Sequence, residues 1–391
     1  MEFKTYFLVF LLLFTGFEDC SSYEIEVSGF NLMRHLITAF SFMRHHNKPD
    51  DKEISRKYID SYLKQVLPNA FHEKQIFNGT ILGEEVPSIN YITIIPGTRW
   101  GTSEDKVSVF LTHYDTQPTT PGVNDNGSGV AMTLELARIL GDLWSKYDHS
   151  CLRLNSVILA IVDIEENGVV GSKHFADDWL VPFVLERYNI GPDVLSGVIV
   201  TDNILNYEDY EGASYPMPAA LDKEVPSYNE LNRQNGFKGD FLASFVRTDD
   251  MEINNFIQDV WRHKYGYGFD KKYKYFTFQL AITGSIDKLS DERKQLYFDI
   301  FRSDHRNFWN HTSTLYPEGI PAVFLCDTVY FRGFMHECYH KECDDMDHVT
   351  EANWEFLKVN TDVLTRVAIA LASGDKQLGC LNTRIHDPRE Q

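Results

Sequence analysis

The sequence predicts an α/β fold: a doubly wound, mostly parallel mixed sheet with helices on both faces. Three observations carry that expectation. Apolar runs at 107–112, 156–162 and 194–200 have the unbroken, β-branched character of strands covered on both sides. Stretches of helical period alternate with them, as connected βαβ units require. His, Asp and Glu residues fall directly after several of the runs, which is where open α/β sheets place their chemistry.

Length and composition bound the rest. A chain of 391 residues holds one α/β domain of roughly 300 residues with additions. Hydrophobic content of 43% with 14% aromatics is ample for a core and excludes general disorder. The net charge of −20 argues against a nucleic-acid partner, since such partners demand clustered Lys and Arg.

At the N-terminus, Met1-Glu2-Phe3-Lys4 leads into an apolar run at 6–17, followed by Glu18-Asp19-Cys20-Ser21-Ser22. The run is short for a membrane span but suits a signal-peptide core, so residues 1–22 read as a removable signal and the product as secreted. No stable membrane span is expected after its removal. Five cysteines then remain, Cys151, Cys326, Cys338, Cys343 and Cys380, an odd number that permits two disulfides and one free thiol. Cys338 and Cys343 are close enough in sequence to close a small loop. Asn78-Gly79-Thr80 and Asn310-His311-Thr312 are glycosylation sequons. A third, at Asn126, is a poor acceptor if its motif lines a cleft.

In chain order, the apolar spacing predicts helices at 29–47 and 50–67, the second ended by Pro68. His45 and His46 at the end of the first read as a solvated pair. From Phe71 the pattern changes to short strands, including 89–95, which stops at Pro96-Gly97. Strand 107–112 leads into His113-Tyr114-Asp115, then Asn124-Asp125-Asn126-Gly127-Ser128-Gly129, then a helix from Val130. Strand 156–162 leads into Asp163-Ile164-Glu165-Glu166, and strand 194–200 ends at Thr201-Asp202-Asn203. The Tyr-, Pro-, Asn- and Gly-rich stretch 206–247 reads as an irregular insertion. A helix at 251–265, a half-exposed strand at 273–280, an apolar strand at 319–325 and a helix at 354–372 complete the pattern. Asp344-Asp345 and His348 look like a solvated helix start. The partition is a signal at 1–22, a helical extension at 23–87, a catalytic domain at 88–375 and a polar tail at 376–391.

The chemistry concentrates at strand ends. In a parallel sheet His113 with Asp115, Glu165 with Glu166, Asp202, and His340 beyond the last strand converge on one edge, with Asp125 in the loop after the first. A His, Asp and Glu cluster without Cys suits zinc. Without a cation several of those carboxyls would have to stay protonated at neutral pH. His113 and Asp115 share a face in extended chain, so Asp115 can accept the second imidazole N–H and orient the ring. Of the adjacent Glu165 and Glu166, one can ligate while the other handles a proton, the division of labour that metal-assisted hydrolysis needs.

The order HYD, NDNGSG, EE, D, H resembles the secreted co-catalytic zinc aminopeptidase family, which also contains the glutaminyl cyclases. The similarity runs over residues 89–372. It includes Leu134-Glu135-Leu136-Ala137-Arg138, Gly171-Ser172-Lys173-His174, Ser303-Asp304-His305 with Phe308-Trp309, and Gly319-Ile320-Pro321-Ala322. The resemblance implies a zinc exopeptidase-like (phosphorylase/hydrolase-like) fold, two zinc ions per chain, and peptide or protein substrates. It implies His113 and Asp202 on one zinc, Glu166 and His340 on the other, and Asp125 between them. Asp115 would orient His113, and Glu165 would be the general base for a metal-bridging water. Departures lie in Lys341-Glu342-Cys343, where the family commonly has Thr-Pro, in Thr201-Asp202-Asn203-Ile204, less apolar than the usual segment, and in a longer loop before Gly319. They bear on pocket shape and leave every ligand in place. The alternatives are a single-zinc glutaminyl-peptide cyclotransferase and a secreted binding protein with a structural metal site. The NDNGSG turn favours the peptidase.

Overall fold

The computed structural model describes residues 25–146, 153–186 and 191–374. The apolar run at 6–17, Cys20, Cys151, Cys380 and the tail at 376–391 lie outside them. Among the described residues no helix is long and apolar enough to cross a membrane.

Helix α1 (Gly29–His35) begins at Ser28, whose side chain accepts from the Asn31 N–H, and its helical course continues in a wider turn to Phe40. Helix α2 (Pro49–Val66) starts on a proline, which loses no helical hydrogen bond there. Strands β1 (Phe71–Ile81) and β2 (Glu84–Ile95) form a long antiparallel hairpin. Its two-residue tip, Leu82-Gly83, has positive φ at both positions, as the twist of a tight hairpin demands.

The alternating part follows: β3 (Val107–His113), α3 (Gly129–Lys146), β4 (Val157–Val162), α4 (Val170–His174) and β5 (Leu195–Thr201). Next come α5 (Ala219–Asp222), α6 (Pro226–Gln234), β6 (Phe241–Arg247), α7 (Met251–Tyr265), β7 (Lys274–Leu280), α8 (Asp291–Leu296) and α9 (His305–Asn310). The chain closes with β8 (Ala322–Cys326), α10 (Met335–Cys338) and α11 (Glu351–Ser373). One eight-stranded sheet has the order β1-β2-β4-β3-β5-β8-β6-β7. Its middle, β4-β3-β5-β8, is parallel, as is β6-β7, while β1-β2, β2-β4 and β8-β6 are antiparallel. The fold is the mixed, mostly parallel α/β sheet that the sequence predicts.

Strand pleating distributes the apolar runs between two layers. In β3, Phe110 packs in a layer with α3 and α11, while Val109 and Leu111 face the opposite layer with Phe175, Trp179, Phe308 and Trp309. Covering on both faces is why these strands show no polar alternation.

Three expectations need correction. The stretch 206–247 is not an irregular insertion, because it holds α5, α6 and the wholly buried β6, which sits between β8 and β7. Only partners distant in sequence make Phe241-Leu242-Ala243-Ser244-Phe245-Val246-Arg247 a strand, so local turn residues masked it. The boundary expected at 87/88 falls inside β2, and β1 belongs to the main sheet. Leu32, Leu36 and Ile59 share an apolar layer with α3 and α11, so the segment 23–87 is not a separate helical extension. His45 is also buried, its ring tilted against that of His46, rather than solvated.

Candidate metal centre

The C-terminal ends of β4, β3, β5 and β8 share one sheet edge because the four strands are parallel. His113 is the last residue of β3 and stands opposite Val162 of β4. That register sets the Asp163–Glu166 turn beside it. Asp202 follows β5 directly. The chain leaves these strands abruptly: Ile164, Asn203 and Thr328 have φ of 52°, 54° and 70°. Ile164 and Thr328 are β-branched, and such residues occupy the left-handed region only where surrounding structure holds them.

All seven residues singled out in the sequence come together at this edge. Two groups form, His113 with Glu165 and Asp202, and Asp125 with Glu166 and His340, each with its ligand atoms within 4.8 Å of one another. His113 Nε2 lies 3.3 Å from Asp202 Oδ1, 3.5 Å from Asp125 Oδ1 and 3.8 Å from Glu165 Oε2. His340 Nε2 lies 3.1 Å from Glu166 Oε2 and 3.3 Å from Asp125 Oδ2. Asp125 thus offers one oxygen to each histidine.

The supporting contacts differ in one respect from expectation. Asp115 Oδ1 is 3.5 Å from His113 Nδ1, longer than a hydrogen bond. Its oxygens instead accept the backbone N–H groups of Glu165 at 3.0 Å and Glu166 at 3.2 Å. Asp115 therefore holds the two glutamates and faces His113 only as a charge. Asn126 is buried and donates to Thr112 Oγ1 and the Thr201 carbonyl, which leaves its sequon no room for a glycan, whereas Asn78 and Asn310 are exposed.

Several partners escaped the sequence reading. Asp344 is fully buried rather than part of a solvated helix start, and accepts the N–H groups of Asn124 at 2.8 Å and Asp125 at 3.0 Å. Its neighbour Asp345 behaves as expected, capping a short turn on the surface with His348. Gln117 donates its backbone N–H and its amide to the Glu166 carboxylate. Arg44 is buried and donates to the carbonyls of Phe40, Phe42, Tyr114, Pro121 and Gly122. An acidic pair starting four residues beyond a candidate ligand was the only local signal for Asp344, and Arg44 had none.

The electrostatics match a cation site. Burial, reinforced by Glu166 and Asp202, pushes Asp125 up to about 6, and burial raises Glu165 well above the carboxylate range against the pull of His113. Burial also lifts Asp304 to about 7, and neither of its oxygens has a hydrogen-bond partner. Burial opposes the charge on His340, yet Asp125 and Glu166 carry it to about 10. Its Nε2 has no hydrogen-bond partner and points between two carboxylates. Crowded acids with unsatisfied imidazoles are the arrangement a divalent ion resolves, and an all-N/O donor set of this kind fits zinc. Beside it opens a cavity of roughly 270 Å³, whose apolar wall includes Met217, Phe245, Ile300, Phe301, Phe324 and Phe331.

Comparison with known proteins agrees. Residues 90–208 match peptidase family M28. An aminopeptidase of Pseudomonas aeruginosa is 31% identical over 161 residues, 39% of this chain and 28% of that protein. The matching stretches span only 14% to 28% of the length of the first curated relatives. Among solved structures, the Legionella pneumophila LapA aminopeptidase superposes with a TM-score of 0.53 at 19% identity, covering 89% of this chain and 72% of that one. The Porphyromonas gingivalis glutaminyl cyclase gives 0.51 at 14% identity over 88% of this chain and 96% of that one. These likenesses identify the fold, and the family matched is the one the sequence resembles.

Proposed function

With the peptidase family M28 match as premise, we propose that the protein is a secreted zinc-dependent exopeptidase, an aminopeptidase that removes N-terminal residues from peptides. The observation that carries this reading is the Asp125 carboxylate, placed between His113 and His340 with Glu165 buried at the same edge. Secretion is supported by the apolar run at 6–17 and by the Cys338–Cys343 disulfide, a bond that persists in oxidising compartments.

His113 and Asp202 would hold one zinc, Glu166 and His340 a second, and Asp125 both. When bound, such a pair acidifies water and polarises a carbonyl. Asp115 fixes the backbone of Glu165 and Glu166, and thereby their carboxylates, relative to His113. Glu165, the most distant of the three carboxylates within 4 Å of His113 Nε2, stays free to take the proton of the attacking water and deliver it to the leaving amine. The apolar wall of the cavity receives the side chain of the N-terminal residue and excludes water around it.

Glu165→Gln tests the reading against a panel of free and N-blocked peptides. Expected is a loss of kcat of about 10²–10⁴-fold on free N-termini, with zinc content unchanged. Unaltered hydrolysis would overturn the catalytic assignment. One tight zinc per chain with turnover of N-terminal Gln peptides would identify a cyclase instead.

A further inference from the structure

His340 differs from the other metal-site histidine in how it is held. His113 is fixed by the sheet, whereas His340 lies beyond α10 with a φ of 60°, in the left-handed region that few non-glycine residues occupy. Its carbonyl accepts from Thr119 Oγ1 at 2.9 Å, and the following Lys341 and Glu342 are exposed. Its imidazole stacks on Tyr339 at 3.7 Å between centroids, and a further constraint is covalent: a disulfide joins Cys338 to Cys343, so His340 sits inside a small closed ring. The ring is tied to the site a second time. Asp344, next to Cys343, accepts the N–H groups of Asn124 and Asp125, and its carbonyl accepts from Val123 at 3.1 Å. One short segment therefore delivers one candidate ligand and braces another.

We propose that the Cys338–Cys343 bridge is a positioning device for metal binding, holding His340 against Asp125 and Glu166, and that its reduction weakens the hold on the zinc of that group while the one at His113 and Asp202 is held as before. The inference rests on the two-zinc reading above. Cys338 is buried, but Cys343 is half-buried beside the exposed Lys341-Glu342 edge, so a small dithiol can reach it. A thiolate of the dithiol attacks one sulfur and the S–S bond breaks. The mixed disulfide is then displaced by the reductant's second thiol, leaving an oxidised reductant and two protonated cysteines.

The test counts zinc per full-length chain by elemental analysis after anaerobic reduction and desalting, and measures zinc affinity by competition with a chelator. Expected is two zinc ions in the oxidised protein, and a roughly 10–100-fold weaker affinity for one of them after reduction, reversed by re-oxidation. Cys338→Ser/Cys343→Ser should match the reduced protein and respond no further to the dithiol, which isolates this bridge from Cys151 and Cys380. His340→Ala, which keeps the bridge, should already lack that zinc and be insensitive to reduction. Two zinc ions held with unchanged affinity after thiol titration shows the bridge open would overturn the proposal. No zinc in the oxidised protein would instead overturn the metal reading beneath it.

Discussion

Asp344 sets the position of Asp125 without approaching either histidine-bearing group as a ligand. Its two oxygens take two consecutive backbone N–H groups, so Asp125 enters the site from a fixed main chain. Asp344→Asn keeps the volume but turns one acceptor into a donor facing an N–H. Partners that orient a ligand typically cost 10–100-fold in metal affinity when lost, and that loss is the expected outcome, read by chelator competition at unchanged circular dichroism. Unchanged affinity would assign Asp344 to stability alone. Among the candidate ligands, His113, Glu166 and Asp202 were legible because each lies at or just after the end of an apolar run, and Asp125 and His340 because they sit in the motif order the family resemblance supplies. Asp344 was not, since an acidic pair after a loop looks the same in sequence whether it is solvated or buried.

At the scale of elements, the N-terminal helices brace the site loops. From α2, Lys52 and Arg56 pair with the buried Asp163 at the exit of β4, and Tyr114 donates to the same carboxylate at 2.6 Å. Arg44 ties the turn before α2 to the carbonyls of Tyr114, Pro121 and Gly122. Arg44→Met would strand several buried carbonyls, each costing about 1–3 kcal/mol, so a loss of at least ~3 kcal/mol in denaturant unfolding is expected. Helix α11 offers a contrast. Thr350 and Asn353 form a reciprocal cap at its start, and Thr350→Ala should cost only about 1 kcal/mol. Similar losses at the two sites would deny Arg44 its bracing role. The cap obeys local rules, whereas the Arg44 contacts are up to 78 residues apart, beyond any periodicity.

For the whole molecule, folding concentrates Asp125, Glu165, Glu166, Asp202 and Asp304 at one sheet edge, and a cation held there would offset their repulsion. Chelation should therefore lower the thermal midpoint by several degrees, with zinc restoring it, since a ligand at 100–1,000 times its Kd contributes about 2.7–4.1 kcal/mol. A midpoint indifferent to chelator and zinc would contradict a metal held by the native state. The sequence by itself determined the parallel core, the strand-end placement of His113, Asp115, Glu165, Glu166 and Asp202 with Asp125 and His340 in the loops beyond, and the turn chemistry between them. Unbroken apolar runs and the polar residues that end them are local properties, readable along the chain. Tertiary structure alone decided that β6 lies between β8 and β7, that the N-terminal helices share the core, and that Asp115 serves the backbone of Glu165 and Glu166 more closely than the His113 ring. These depend on which distant segments meet, and burial and hydrogen-bond partners exist only once they do.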